Sequence, residues 1–246
     1  MLKAFIAAAL LVLSTGVSGQ QPPERQRARP YYSKGLALMQ TESWADAAKS
    51  FQQAIDIDQQ FEDAYYGLGL ANMRMKKYSD AIGAYLKCQD LYRAFAGKQF
   101  ANRQEAQRYR QDRLTELDEA IRQAQSGPQS MSSQERVRQL QEQRRQVQEY
   151  AQKGLNLTVE NSVPAFVSVG LGSAYFRTEQ WANAEREYRA AIAVDPRSGE
   201  AHNNLAVVYL QTGRFKEAQD EVKAAERVGY KVHPQLKEDI KAKLKT

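Results

Sequence analysis

The side chains that most often carry out catalysis are scarce in this sequence. Its 246 residues include two histidines, His202 and His233, and one cysteine, Cys88. Neither histidine has a plausible metal-ligand or catalytic-triad partner by spacing. The sequence also has no glycine-rich phosphate loop, no metal-spaced Cys/His set and no G-x-S-x-G elbow. We therefore expect no enzymatic activity, no catalytic residues, no metal site and no cofactor.

The reactive groups that do occur have simpler interpretations. Asp56 and Asp58 are expected to be solvated carboxylates at the end of a helix. Cys88 cannot form an internal disulfide bond, so it does not distinguish an oxidising from a reducing compartment. Cys88 and His202 also lie where the repeat described below needs a small residue and a large packing residue, respectively. These positions favour packing roles over chemistry.

The first 19 residues have the features of a signal peptide. Lys3 supplies a positive charge, residues 4–13 form an unbroken apolar run, and Val17 and Gly19 are the small residues expected before a cleavage point. The apolar run has ten residues, about half of the roughly 20 that a membrane-spanning helix needs. We expect cleavage after Gly19 and an exported protein, periplasmic or secreted, with no membrane span after cleavage. An uncleaved anchor is the alternative.

Two pairs of segments repeat with an offset of 34 residues. In the first pair the offset aligns Gly35 with Gly69, Trp44 with Tyr78, Ala47 with Ala81, Phe51 with Tyr85, and Ala54 with Cys88. In the second pair it aligns Gly172 with Ala206, Trp181 with Phe215, Ala184 with Ala218, Tyr188 with Val222, and Ala191 with Ala225. Small residues let two antiparallel helices approach closely, and large residues fill the space beside them.

This pattern resembles the tetratricopeptide repeat over about 136 of the 246 residues, in an exported bacterial type of protein. The resemblance implies an all-α fold, a right-handed α-solenoid of about four helix-turn-helix repeats. Repeats 1 and 2 are predicted over residues 31–95, repeats 3 and 4 over 164–230, and a C-terminal capping helix over 231–246. Residues 20–30, between the signal peptide (1–19) and the repeats, are predicted to form a flexible leader.

Residues 96–163 interrupt the repeats. Two degenerate repeats would nearly fit this length, but they would put Arg103 and Thr115 at positions that need small residues. A coiled-coil helical hairpin fits better, with apolar residues at three- and four-residue spacing on both arms. We expect a continuous helix over residues 79–125 to form the first arm, and the hairpin to separate the repeats into two stacks. The predicted seam contains Leu114, Leu117, Ile121 and Ala124 on one arm and Val137, Leu140, Val147, Ala151 and Gly154 on the other.

In proteins that this sequence resembles, the first helices of the repeats line a concave groove that holds a peptide or a helix of a partner. The resemblance implies this lining: Tyr32, Leu36, Met39, Tyr66, Leu70, Met73, Arg74, Phe166, Val169, Phe176, Arg177 and Asn203, with Gln40, Asp63, Val207 and Leu210 on the same surface. Its apolar, aromatic and Met side chains suit protein binding. We expect Tyr32 and Tyr66 to point into the groove, away from the repeat core. For Phe166 and Phe176, burial by neighbouring elements and partner binding both remain open.

The expected partner is therefore a protein or peptide, with two alternatives. The hairpin carries arginines that could bind an anionic polymer: Arg103, Arg108, Arg110, Arg113, Arg136, Arg138, Arg144 and Arg145. Interspersed Asp and Glu, a net charge of only +6 and the signal peptide argue against nucleic acid as that polymer. The hairpin could instead be a structural spacer or a self-association module.

Overall fold

The computed structural model describes residues 24–95, 103–126, 131–152 and 163–245, and every regular element in these ranges is a helix. The all-α prediction is therefore confirmed, while the predicted signal peptide lies outside the described residues. The described helices are α1 (Glu24–Gln40), α2 (Trp44–Ile57), α3 (Glu62–Arg74), α4 (Tyr78–Phe95), α5 (Arg103–Ser126), α6 (Met131–Gln152), α7 (Ala165–Arg177), α8 (Trp181–Val194), α9 (Gly199–Gln211), α10 (Phe215–Arg227) and α11 (Pro234–Lys243).

Helix α1 begins inside the segment that the sequence predicts to be a flexible leader. Residues 24–30 are helical, so that prediction is wrong there, and the rest of the leader lies outside the described residues. Arg25 fixes the first turn because its guanidinium pairs with Asp58 and, at 3.0 Å, with Glu62. These ion pairs help the helix to continue through Pro30, which removes one backbone hydrogen bond.

The helices pair as α1 with α2, α3 with α4, α7 with α8 and α9 with α10, which gives four helix-turn-helix repeats. Each turn contains one residue of positive φ: Glu42 (58°), Lys76 (60°), Glu179 (59°) and Gly213 (75°). These residues occupy the same position of each repeat, so the four turns close in the same way. Gly213 is the residue for which this conformation costs least, since a Cβ atom adds about 1–2 kcal/mol.

The aromatic residue in the middle of α2 packs between two glycines. A Cβ atom added to Gly35 would lie 2.7 Å from a ring carbon of Phe51, and one added to Gly67 would lie 2.6 Å from the same ring. Gly35 belongs to the same repeat as Phe51, and Gly67 belongs to the next. The ring is fully buried, so both helices must present a residue without a side chain for the repeats to pack at this distance.

Repeats 2 and 3 pack directly on each other, although the hairpin separates them in the sequence. A Cβ atom on Gly170 would lie 3.0 Å from the Tyr85 ring, which repeats the arrangement seen between the first two repeats. The Phe166 and Tyr66 rings also meet edge to face, with centroids 4.7 Å apart. The prediction of two separate stacks is therefore wrong: the hairpin leaves the solenoid after repeat 2, and the solenoid continues with repeat 3.

Buried polar side chains also connect repeats 2 and 3. The amide Nε2 of Gln89, on α4, donates hydrogen bonds to Ser168 Oγ on α7 (3.2 Å) and to Glu187 Oε2 on α8 (2.7 Å). All three residues are buried, and an unpaired polar group there would be costly. The junction therefore depends on polar as well as aromatic complementarity.

Helices α5 and α6 form a hairpin with an apolar cluster of its own. Leu117, Ile121 and Leu140, all from the predicted seam, are buried together. The Arg144 guanidinium crosses between the arms and pairs with Asp118 at 2.6 Å. This cluster is separate from the apolar clusters of the repeats, so the hairpin packs as a unit.

The predicted continuous helix over residues 79–125 is wrong, because Tyr92 and Arg113 lie too close together for one helix to join them. In a straight helix the 21 residues from Tyr92 to Arg113 would span roughly 31 Å. The structure instead places Arg113 Nη2 3.1 Å from the hydroxyl of Tyr92. Helices α4 and α5 are therefore separate elements, and the carboxylates beside Tyr92, described below, attract the Arg113 guanidinium to this place.

The C-terminal cap has the predicted arrangement. Helix α11 begins at Pro234, and the His233 side chain accepts a hydrogen bond from the backbone N–H of Gln235. Ile240 is buried and Leu236 is half-buried against the core of the last repeats. The charged residues of α11 are exposed, so the end of the solenoid presents a polar surface.

Two glycine-to-alanine substitutions should have opposite effects on stability. Gly67→Ala should destabilise the protein by about 1–3 kcal/mol, because the new methyl group would overlap the buried Phe51 ring. Gly83→Ala should stabilise it by about 0.5–1 kcal/mol, because Gly83 is an exposed helix position with no atom within 4 Å of the added Cβ. Urea unfolding followed by circular dichroism measures both, and equal effects of the two changes would contradict the proposed packing of Phe51.

Candidate functional site

The first helices of successive repeats contact one another and form one face of the solenoid, to which the sequence analysis assigns the groove. An apolar residue recurs at one position of all four helices. We call Met39, Met73, Phe176 and Leu210 the apolar row. Each is half-buried and packs partly against a repeat core. Leu36, Leu70 and Phe166, from the predicted lining, are also half-buried. This face therefore presents partly accessible apolar groups in the register of the repeats.

Three predicted lining residues are core residues instead. Tyr32, Tyr66 and Val169 are only 4%, 8% and 7% exposed. The Tyr32 ring lies 4.8 Å from Phe61, and the Tyr66 ring lies 5.7 Å from Tyr85. The expectation that the two tyrosines point away from the core is therefore wrong. Their rings are long enough to reach the interface between neighbouring repeats, which the spacing alone does not reveal.

The two predicted lining arginines lie at the edge of the groove and stack on aromatic residues of the preceding repeat. The Arg74 guanidinium is 5.5 Å from the Trp44 ring centroid, and that of Arg177 is 5.3 Å from the Tyr78 ring centroid. Both arginines remain exposed. Asn203, the last predicted lining residue, is half-buried and donates a hydrogen bond to the side chain of the next residue (3.2 Å).

Helix α5 lies against α1, the first helix of repeat 1. Three hydrogen bonds join it to α1: Arg29 Nη2 to the carbonyl oxygen of Asp112 (2.7 Å), Ser33 Oγ to Glu119 Oε2 (3.3 Å) and Gln40 Nε2 to Ser126 Oγ (2.9 Å). The residue numbers rise together, so α5 runs parallel to α1. Gln40 belongs to the predicted lining, so the hairpin occupies part of the surface that the sequence assigns to a partner.

Arg113 inserts from α5 between acidic and aromatic groups of repeat 2. Its Nη1 lies 2.8 Å from Asp63 and 3.6 Å from Glu62, and its Nη2 donates a hydrogen bond to the Tyr92 hydroxyl. The Glu62 side chain is 2% exposed, so this is a largely desolvated ion pair. Sequence reasoning missed the contact because it joins residues 50 positions apart and follows no periodic pattern.

Four of the six hairpin arginines with described side chains pair with acidic groups, whereas no described acidic partner meets Arg110 or Arg122. Besides Arg113, three have acidic partners: Arg138 with Asp195 (3.7 Å), Arg144 with Asp118 (2.6 Å) and Arg145 with Glu142 (2.6 Å). The side chains of Arg103, Arg108 and Arg136 lie outside the described residues. The described part of the hairpin therefore offers a polyanion few basic groups that are not already paired with a carboxylate.

The groups best suited to chemistry are held in packing roles. Cys88 is fully buried, and burial raises the pKa of its thiol well above the ordinary value, so the unreactive protonated form is favoured. His202 is also buried, with Nδ1 2.6 Å from Glu221 and Nε2 3.2 Å from the carbonyl oxygen of Pro196. Both placements agree with the sequence-based expectation. Within the described ranges, no group of His, Cys, Asp and Glu is arranged to hold a metal ion.

The succession of stacked helix pairs defines an α-solenoid. Family models described as "Tetratricopeptide repeat" match residues 169–228 and 62–95, and one described as "TPR repeat" matches residues 35–76. The chain is a tetratricopeptide-repeat (TPR) protein, and this fold generally serves as a scaffold for protein–protein interaction. A search of curated proteins gives no match. Among the described helices, none is both long and apolar enough to cross a membrane.

Solved structures similar to this chain include proteins described as TPR proteins. A thermophilic TPR protein of Thermus thermophilus is 18% identical, with a TM-score of 0.38 over 89% of this chain and 100% of that one. PilW, a widely conserved type IV pilus biogenesis factor, is 14% identical, with a TM-score of 0.43 over 89% and 87%. YrrB, a TPR protein with an unusual peptide-binding site, is 14% identical, with a TM-score of 0.29 over 88% and 92%.

Replacing Tyr66 should reveal its core role. Tyr66→Ala should cost about 3 kcal/mol of unfolding free energy, because it leaves a cavity between Tyr85 and Phe166. Met73→Ala, one position of the apolar row, should cost only about 1 kcal/mol because Met73 is already partly exposed. Urea titration of both variants gives the comparison. A smaller loss of unfolding free energy for Tyr66→Ala than for Met73→Ala would indicate that Tyr66 lies in the groove and not in the core.

Proposed function

We propose that this protein is a non-enzymatic scaffold that binds a peptide or helix of a protein partner along the apolar row of its concave face. The observation that carries the proposal is the recurrence of a half-buried apolar side chain at one position of all four repeats. A solenoid core does not need these groups to remain accessible. Their accessibility suits binding through a few apolar anchors.

The contact surface that we propose is shifted from the one predicted by sequence. The hairpin contacts the first repeat through Gln40, and Tyr32 and Tyr66, the tyrosines of repeats 1 and 2 expected to anchor a partner, are buried. The hairpin also reaches repeat 2 at Asp63 and repeat 3 at Asp195, but none of its described contacts involves Met73, Phe176 or Leu210. The partner is therefore expected on repeats 2 to 4. Because these repeats form one stack, a single extended segment can contact all three.

Export is part of the same proposal and is supported by the apolar segment at residues 4–13. The partner is then a protein of the envelope or of the external medium. Binding of an anionic polymer through the hairpin is less well supported, because Arg113, Arg138, Arg144 and Arg145 have acidic partners. Self-association would appear in the experiment below as a cross-link between two copies of the chain.

Site-specific photocross-linking tests the proposal. A photoreactive amino acid in place of Met73 or Leu210 should capture the partner in the exported fraction. The matched control is the same change at Val194, an exposed apolar residue at the end of α8. For the purified partner, Met73→Gln should weaken binding by about 2 kcal/mol or roughly 30-fold, whereas Val194→Gln should leave it unchanged.

Two results would contradict the proposal. One is cross-linking from Val194 or from Glu142, on the exposed side of α6, without cross-linking from Met73 or Leu210. The other is equal loss of affinity in the Met73→Gln and Val194→Gln variants. Circular dichroism of each variant must show that its helix content is intact, since an unfolded chain would also lose binding.

A further inference from the structure

The hairpin contacts the repeats in an unusual way for a packed helical element. Its apolar cluster of Leu117, Ile121 and Leu140 is turned inward and is not shared with the repeats. The side-chain contacts described between hairpin and repeats are instead hydrogen bonds, ion pairs and the cation–π contact of Arg113 with the Tyr92 ring, whose centroid is 5.8 Å away. Contacts of this type contribute little net stability unless they are desolvated, so most of them can be exchanged for water at low cost.

One of these contacts is different, because it is largely removed from water. The Arg113 side chain is 11% exposed and reaches Asp63, the buried Glu62 and the Tyr92 hydroxyl. These three groups surround one guanidinium with two carboxylates and a phenol. Asp63 is also a predicted lining residue of the groove. The most desolvated ion-pair cluster described for the hairpin therefore includes a residue of the predicted groove lining.

Helix α5 also follows the direction in which the groove runs at repeat 1. It lies parallel to α1 and bonds to that helix near both ends of the contact, through Arg29 and Gln40. Leu36 lies between these two residues on α1 and is half-buried. A partner helix that used repeat 1 would need the place that α5 occupies.

We propose that the hairpin is an autoinhibitory strap, in which α5 occupies the first-repeat end of the groove and Arg113 latches it there. The inference rests on the proposed function, since a strap over a surface that binds nothing would regulate nothing. Release of Arg113 from Asp63 and Glu62 opens repeat 1 and extends the accessible surface from three repeats to four. If α5 is in place for about nine-tenths of the time, release increases the open fraction about tenfold.

Thiol accessibility tests the strap without any partner, so its outcome is independent of whether a groove ligand exists. The probe is the thiol introduced by Leu36→Cys in the full chain, reacted with a maleimide; Cys88 is buried and serves as the internal unreactive thiol. Adding Arg113→Ala should accelerate labelling about tenfold. Asp63→Asn removes the carboxylate charge that pairs with Arg113 and should accelerate labelling equally. Combining the two changes should increase the labelling rate little beyond either change alone.

Two controls separate release of the strap from general loosening. Arg145→Ala removes the same charge from the hairpin at a residue paired with Glu142 one turn away, and it should leave labelling unchanged. The thiol introduced by Leu210→Cys, in repeat 4, should react at the same rate with and without Arg113→Ala. Thermal unfolding followed by circular dichroism should show that the repeats of the Arg113→Ala variant remain folded.

Unchanged labelling of the Leu36→Cys thiol in both latch variants would overturn the proposal. So would faster labelling accompanied by unfolding of the repeats or by equal acceleration at Leu210→Cys, because the hairpin would then be a permanent structural cap. If the latch variants accelerate labelling as expected but Met73 and Leu210 capture no partner in the cross-linking experiment, only the proposed function is contradicted.

Discussion

The structure depends on one contact, the packing of an aromatic ring against glycine on both sides. Phe51 lies between Gly35 and Gly67, and Tyr85 lies between Gly69 and Gly170 in the same way. Each ring joins its own repeat to the next, so the contact sets both the closeness of a helix pair and the spacing of successive pairs. In repeat 4, Ala206 takes the place of the glycine on the first helix, and Val222 takes the place of the aromatic residue on the second helix. The added methyl group is therefore matched by a smaller side chain opposite it.

This constraint explains how the fold accommodates a long insertion. Gly170 completes the contact with Tyr85 although the hairpin comes between them in the sequence, because only the residues at the interface must be matched. The loop-closure entropy of an insertion rises slowly with its length. The hairpin then folds on its own apolar cluster and attaches to the solenoid through polar contacts, so the repeat interface and the hairpin are separate packing units.

The repeats could be predicted from the sequence because small and aromatic residues recur at fixed spacing, and the cap could be predicted from Pro234 and Ile240. Gly170 occupies the same repeat position as Gly67, so the sequence also contains the residue that lets repeat 3 pack on repeat 2. This contact can be recognised only if one knows that the hairpin does not separate the two repeats in space. The start of α1 and the attachment of the hairpin were not predictable in this way. They depend on Arg25 and Arg113, whose ion pairs join residues 33 and 50 positions apart and leave no periodic signal. The tyrosines of the predicted groove were misplaced because spacing assigns a residue to a helix face but does not say how far its ring extends into the next interface.

The most direct test of the uninterrupted stack is a double-mutant cycle between Tyr85 and Gly170. Tyr85→Leu and Gly170→Ala each change the packing at the junction of repeats 2 and 3, and the smaller side chain at 85 makes room for the methyl group added at 170. Urea unfolding of the two single variants and the double variant gives their coupling free energy. The structure predicts that the double variant is more stable than the sum of the single effects by about 1 kcal/mol. Effects that add to within about 0.3–0.5 kcal/mol, as for residues that do not touch, would contradict the direct packing of repeats 2 and 3.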